Sequence, residues 1–415
     1  MLAEAPLGAT APFGPKTAKQ VRRFFGSEPT PLVPLRKTAQ ELGLAAVYVK
    51  DESKRLGLQA FKVFGAAYGM ATWLAREVGV DLASVTGLEE LRRVYSEKGG
   101  KPRTFVTCTD GNHGRAVAWA AKHLGQCAVV LMPKGSAAAR VEHVRDLGGQ
   151  CDVTDLNYDQ TVELAFQKAQ ENGWTVLQDT TAPGYTEIPT WIMQGYTAMA
   201  DEALAQVDEL DQSFPSHVVL QVGVGSMAGA VLGYLVERCS AAEGGGSAPR
   251  PVAITLEPQN AACAFASAEK GDGSAVTVDG DLDSMIAGLC CGVPSDIGWP
   301  ILAKHVDGGF CWIGDGIAGN GMRAMKAEGV EAGECGGAGL GLIRRIMAPD
   351  CPKAASVRER LQLGSASRVL IFNTEGATDP ENYAKQMGLP DVPPMASPAD
   401  FGFAPPLQVR ACAGE

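Results

Sequence analysis

The stretch VVLQVGVGSMAGAV, residues 218–231, decides the fold. β-Branched and apolar residues run up to Gly223-Val224-Gly225-Ser226-Met227-Ala228-Gly229, and a helix-forming segment follows. A strand, a glycine turn and a helix start aim several backbone N–H groups at one point. The helix dipole adds favourable potential for an anion there, and glycine lets the backbone come close. A phosphate is the natural guest. The spacing is G-x-G-x-x-x-G, neither the P-loop nor the dinucleotide fingerprint. Taken alone, the turn is also compatible with tight strand–helix packing.

Outward from this turn the chain alternates. Short apolar runs predict strands at 45–50, 104–108, 127–132, 151–156, 174–178, 217–222, 251–257, 308–313 and 368–376. Helical patterns fall at 60–78, 115–124, 137–147, 161–172, 191–209 and 228–238. Helix-length segments between short apolar strands predict an α/β fold with a parallel sheet. Residues 81–103 read as irregular or weakly helical, and 241–249 as a flexible surface loop. From Gly388 the chain is proline-rich, which predicts a surface tail. Four strands end in polar, glycine-bearing loops: 109–114 (TDGNHG), 178–180 (QDT), 223–229 and 373–376 (NTEG). Ligands in open α/β sheets sit beyond the carboxyl ends of the strands, so these loops are expected to converge.

With 415 residues, 46% of them hydrophobic, the chain can form a sizeable core, as two domains of ordinary size or as one large domain with an insertion. No apolar run is long enough for a bilayer, and the N-terminus lacks a secretory pattern. A cytoplasmic location is the simplest reading. The net charge of −11 argues against nucleic acid and anionic membranes as partners, and leaves a small molecule. Eleven cysteines are scattered and five histidines show no ligand spacing. Neither a disulfide framework nor a metal site is expected.

Lys62 lies in Ala60-Phe61-Lys62-Val63-Phe64-Gly65. Apolar flanks predict burial, and the helix dipole opposes a cation in the first turn. Such a lysine suits imine formation and proton abstraction. Asp110-Gly111-Asn112-His113-Gly114 reads in two ways. It is a turn with an Asp or Asn cap, or Asn112 offers an acceptor and donors to a cofactor ring and Asp110 is a base.

A lysine early in a helix, an x-G-N-H-G loop and a later glycine phosphate loop together resemble the fold-type II pyridoxal-phosphate enzymes, the tryptophan synthase β family. RLGLQAFKVFGAAYG, TCTDGNHGRAVAWAAKHLG, QDTTAPGYTEIPTWIMQGY, VGVGSMAGAV, MIAGLCCGVPSDIGW and FNTEGATDPENY resemble the diaminopropionate ammonia-lyase branch of that family. IPTWIMQGY and TDGNHG separate that branch from most serine and threonine dehydratases. Two positions depart from its pattern: Gln59 stands where Asn is expected, and Pro183 replaces a bulkier pair before Gly184.

The resemblance implies two open, mostly parallel-sheet α/β domains with the active site between them. Residues 1–96 and 176–388 would form the larger, 97–175 an inserted smaller one, and 389–415 a proline-rich tail. It implies pyridoxal 5'-phosphate held covalently by Lys62. Its phosphate would lie on Gly223, Val224, Gly225, Ser226 and Met227, its phenolic oxygen against Asn112, and its ring nitrogen near the Thr374 hydroxyl. The reaction implied is α,β-elimination from D- or L-2,3-diaminopropionate, giving pyruvate and two ammonia. An amine leaves well only as ammonium, which gives Asp179 a role. Lys62 would take the Cα proton from one enantiomer and Asp110 from the other. Thr109, Gly111 and His113 would receive the substrate carboxylate, with Asp110 and Asp179 beside it. Cys263, Cys290 and Cys291 read as buried free thiols. The family default is a homodimer. One alternative is a serine or threonine dehydratase of the same fold, against which Asp110 and Asp179 speak. Another is a non-catalytic binding paralogue, against which the intact Lys62 and glycine loop speak.

Overall fold

Short apolar runs become the strands of two sheets in the computed structural model, which describes residues 8–109, 111–240, 250–349, 351–390 and 400–407. In chain order the strands are β1 (Leu32–Pro34), β2 (Ala46–Asp51), β3 (Thr104–Cys108), β4 (Cys127–Met132), β5 (Gln150–Val153), β6 (Thr175–Val176), β7 (His217–Gln221), β8 (Val252–Pro258), β9 (Gly309–Ile313), β10 (Arg368–Asn373) and β11 (Phe401–Ala404). The larger sheet runs β1-β2-β10-β7-β8-β9-β11, and the smaller β5-β4-β3-β6. Only the outer pairs β1–β2 and β9–β11 are antiparallel. Strands β7 and β10 are covered on both faces, so they read as unbroken apolar runs.

Register places the site. Asp51 of β2 lies opposite Asn373 of β10, and Val219 of β7 opposite Ile371. The carboxyl ends of β2, β10 and β7 therefore finish side by side. In the smaller sheet β3 is flanked by β4 and β6, all parallel. The loops after β3 and β6 leave that sheet at its own carboxyl edge.

Several elements differ from the sequence expectation. The helix expected from Thr161 begins three residues earlier, as Tyr158–Asn172, because Asn157 and Gln160 form a reciprocal capping box. The helix expected from Arg115 spans Asn112–Leu124, so Asn112 and His113 belong to its first turn. A helix, Leu88–Glu97, occupies part of the stretch read as irregular or weakly helical and settles it as helical there, with Glu89 and Glu90 in its first turn. Helices Asp315–Ala327 and Glu334–Met347 lie where the glycine content gives no helical signal. They cross so closely that a Cβ at Gly341 would collide with the Ile317 carbonyl oxygen. Close packing outweighs the poor helix propensity of glycine there. The proline-rich tail is not only surface chain: Phe401 pairs with Ile313 and is fully buried. Strand β11 thus closes one edge of the larger sheet, a four-residue run too short to show a period in the sequence.

Candidate active site

The first residue of the helix Lys62–Glu77 is Lys62 itself. The segment leading into it is tied to the end of β10: Phe61 N donates to Thr374 O at 3.2 Å, and Gly376 N to Gln59 O at 2.9 Å. Gln59 holds a left-handed φ of 55°. Asn tolerates that conformation better than Gln. Lys62 lines a cavity between the two sheets and pairs with the carboxylate of Asp179.

Asp179 follows β6 and is 4% exposed. Burial alone would raise its carboxyl. The charges of His113 and Lys62, and the hydrogen bond from Lys62, overcome that and hold it at about 2. His113 Nδ1 lies 3.7 Å from Asp179 Oδ2, and its Nε2 meets Leu177 O at 2.8 Å. Asp179 also accepts, at its backbone oxygen, the Ser226 hydroxyl at 2.6 Å. Gln178 fixes this segment to the smaller sheet by accepting from Thr107 Oγ1 at 2.7 Å and Cys108 N at 2.9 Å.

Opposite Lys62 the glycine loop meets the cavity with Gly223, Val224, Gly225, Ser226 and Met227. The helix Ser226–Ser240 starts on it. Gly225 has φ 96°, which a side chain would strain. The Val224 carbonyl turns away to accept from Ser295 N at 2.7 Å. A helix start with a bare glycine edge facing a cavity is built for an anion.

Among the buried polar atoms at this cavity, Thr374 Oγ1 and Gln221 Oε1 have no hydrogen-bond partner among the described residues. Gln221 commits its nitrogen to Phe372 O at 2.7 Å and Cys335 O at 3.1 Å, which leaves its oxygen unanswered. Such orphans are costly unless a ligand completes them. On the other side, Asn112 Nδ2 donates to the Glu375 carboxylate. Nearby, burial first and the charge of Glu375 second push the Glu334 carboxyl up to about 7.

Of the residues singled out in the sequence, Lys62, Thr109, Asn112, His113, Asp179, the five loop residues 223–227 and Thr374 all line this one cavity. Gly111 does not line it, and its N–H is taken by Thr109 Oγ1 at 2.9 Å. It is therefore no donor for a substrate carboxylate in this arrangement. Asp110 lies outside the described residues. Cys263 and Cys291 are buried, Cys290 only partly, and Cys263 Sγ reaches Gly223 O at 3.7 Å.

Among the lining residues that escape the sequence reading are Gln221, Glu375 and Tyr158. Gln221 carries a signal, a lone amide ending the apolar strand HVVLQ. Glu375 stands in the NTEG loop without a distinguishing neighbour. Tyr158 comes into reach only through the helix start at Asn157, and Gln178 Nε2 meets its hydroxyl at 3.1 Å. Among the described residues no group of three or more His, Cys, Asp or Glu could hold a metal ion. No helix among the described residues is long and apolar enough to cross a membrane.

The sequence profile of the family described as "Pyridoxal-phosphate dependent enzyme" matches residues 24–357. A diaminopropionate ammonia-lyase of Escherichia coli (strain K12) is 44% identical over 387 residues, 91% of this chain and 92% of that protein. A crystal structure of diaminopropionate ammonia lyase from Escherichia coli in complex with D-serine superposes with a TM-score of 0.82 at 43% identity, covering 91% of this chain and 93% of its own. Another, in complex with an aminoacrylate-PLP azomethine reaction intermediate, gives 0.80 at 42% identity and the same coverage.

Proposed function

The chain belongs to the pyridoxal-phosphate-dependent enzymes and, within them, to the diaminopropionate ammonia-lyases, and we propose that this cavity eliminates ammonia from 2,3-diaminopropionate with the residues assigned below. The net reaction takes one water and yields pyruvate and two ammonia.

Pyridoxal phosphate fits what is present. The bare edge of 223–227 suits its phosphate, and the orphaned Thr374 hydroxyl and the Asn112 amide suit a heteroaromatic ring. Lys62 would hold it through its amine. When bound, the cofactor supplies an electron sink that acidifies the substrate Cα–H.

The chain's own groups divide the remaining work. Lys62 is placed to take the Cα proton from one face. In the cofactor-free chain the charges of His113 and Lys62 hold the Asp179 carboxyl down at about 2, which leaves it ionised at neutral pH. Its part is therefore electrostatic, favouring an ammonium on Lys62 or on the departing amine. Asp110 is assigned to the opposite enantiomer from its place in the loop sequence alone. Thr109 and His113, at the start of the helix Asn112–Leu124, are assigned to the substrate carboxylate. We further assign residues 97–175, together with Val176 of β6, which the smaller sheet retains, as a unit that closes on substrate against 1–96 and 177–388. A homodimer is assigned for the assembly and the cytoplasm for the location; light scattering and cell fractionation test these.

The observation that carries the site assignment is a lysine–carboxylate pair and a glycine-bearing helix start lining one cavity. Pyruvate release from D- and L-2,3-diaminopropionate, beside D- and L-serine, tests it. Rapid release from a diaminopropionate enantiomer is expected, with borohydride fixing the cofactor on the Lys62 peptide. Faster release from serine would favour the dehydratase, and label on another lysine would remove Lys62 from its role.

A further inference from the structure

One side chain bridges the two sheets at this cavity. Glu375 lies just past the end of β10 and is 2% exposed. Its carboxylate takes three donors. Asn112 Nδ2 donates to Oε2, Thr378 Oγ1 to Oε2 at 3.3 Å, and Cys335 N to Oε1 at 3.1 Å. Cys335 belongs to the first turn of the helix Glu334–Met347, so the carboxylate sits at that helix's positive end. Asn112 opens the helix Asn112–Leu124, which follows β3 of the smaller sheet. The backbone of Glu375 is pinned as well. It forms an antiparallel bridge with Ala60, two residues before Lys62, and Gly333 N donates to Glu375 O at 2.9 Å.

A primary amide is planar and carries two N–H groups on one nitrogen. Fixing one of them fixes the direction of the other and of the amide oxygen. We propose that Glu375 is a positioning residue that orients the Asn112 amide toward the cofactor ring and ties the start of its helix to the larger sheet. The proposal rests on the cofactor reading above, in which Asn112 meets the phenolic oxygen. It assigns Glu375 no contact with substrate.

Glu375→Ala, Glu375→Gln, Asn112→Ala and the double variant Glu375→Ala/Asn112→Ala test it. In cofactor-free protein, hydrogen exchange over residues 112–118 should speed up about tenfold in Glu375→Ala, because the tether to the helix start is gone. Titration with pyridoxal phosphate should show each single alanine variant binding roughly 10- to 100-fold more weakly. Both should shift the bound cofactor's absorbance band in the same direction. The double variant should bind no more weakly than the weaker single, since both remove one interaction. Glu375→Gln keeps an oxygen for Asn112 and should recover most of the affinity, which also separates positioning from misfolding. Affinity losses that multiply in the double variant would overturn the proposal. So would a Glu375→Ala chain with the parent's affinity and band. A parent chain that takes up no cofactor would instead overturn the cofactor reading, and this proposal with it.

Discussion

Two sets of buried charge lie a few residues apart in the sequence and differ in kind. In the first, Arg55 Nη2 lies 2.6 Å from Glu202 Oε2 and 2.8 Å from Glu52 Oε1, and Lys50 Nζ 2.8 Å from Glu202 Oε2. Thr30 Oγ1 donates to Glu52 at 2.7 Å, Lys50 Nζ reaches Thr30 O at 2.7 Å, and the Arg55 guanidinium stacks 4.1 Å from the Phe64 ring centre. Burial pulls Glu52 upward, but Arg55 leaves it net below the ordinary carboxylate range. Each charge is answered by another. In the second set, Lys62 and Asp179 answer one another beside a cavity whose wall holds the orphaned Thr374 Oγ1 and Gln221 Oε1. Buried charge by itself does not mark chemistry. Polar groups left incomplete around a cavity do.

The largest expected break of this contrast is Lys62→Ala. Turnover should fall at least about a thousandfold while the melting temperature stays near that of the parent; steady-state assay and thermal unfolding measure both. A residual rate within tenfold of the parent would place the second set with the first. Next comes Arg55→Ala, which leaves Glu52 and Glu202 buried with one cation, Lys50, between them. It should cost about 3–5 kcal/mol of stability, read from urea unfolding. A loss under about 1 kcal/mol would mean that the first set is not structural.

A finer test uses pH. The Asp179 carboxyl binds its proton less readily in the folded, cofactor-free chain, at about 2 against 3.8. The unfolded chain therefore protonates first on acidification. The contribution to stability, about 2 kcal/mol, is complete above pH 4 and is lost as pH falls toward 2. The gap in stability between parent and Asp179→Asn should close over that window, and a pH-independent gap would contradict the pairing. The smallest effect compares two threonines. Thr30→Val removes an answered hydroxyl and should cost about 1–2 kcal/mol. Thr374→Val removes an orphan and should leave cofactor-free stability unchanged or higher by up to about 1 kcal/mol, while cofactor affinity drops. Equal losses at both would erase the distinction between the sets.

Much of this was legible in the chain because parallel strands buried on both faces leave unbroken apolar runs, such as RVLIFN and HVVLQ. The loops after them then had to converge by the geometry of open sheets. What stayed hidden depends on contacts far apart in sequence. The helix ECGGAGLGLIRRIM has no place in the sequence reading, because its glycines lower helix propensity and only the close crossing with the Asp315–Ala327 helix makes them fit. Glu375 looked like any loop carboxylate until Asn112, 263 positions away, was found on it. Strand β11 draws its meaning from β9 alone. The role of Asp179 in the sequence reading was a partner for an amine, and the amine it meets here is Lys62.

Asp179 touches Lys62 with its side chain and Ser226 with its backbone. One residue therefore joins the lysine end of the cavity to its phosphate end, while its neighbour Gln178 is gripped by Thr107 and Cys108 of the smaller sheet. A shift of position 179 would be felt at both ends of the cavity at once.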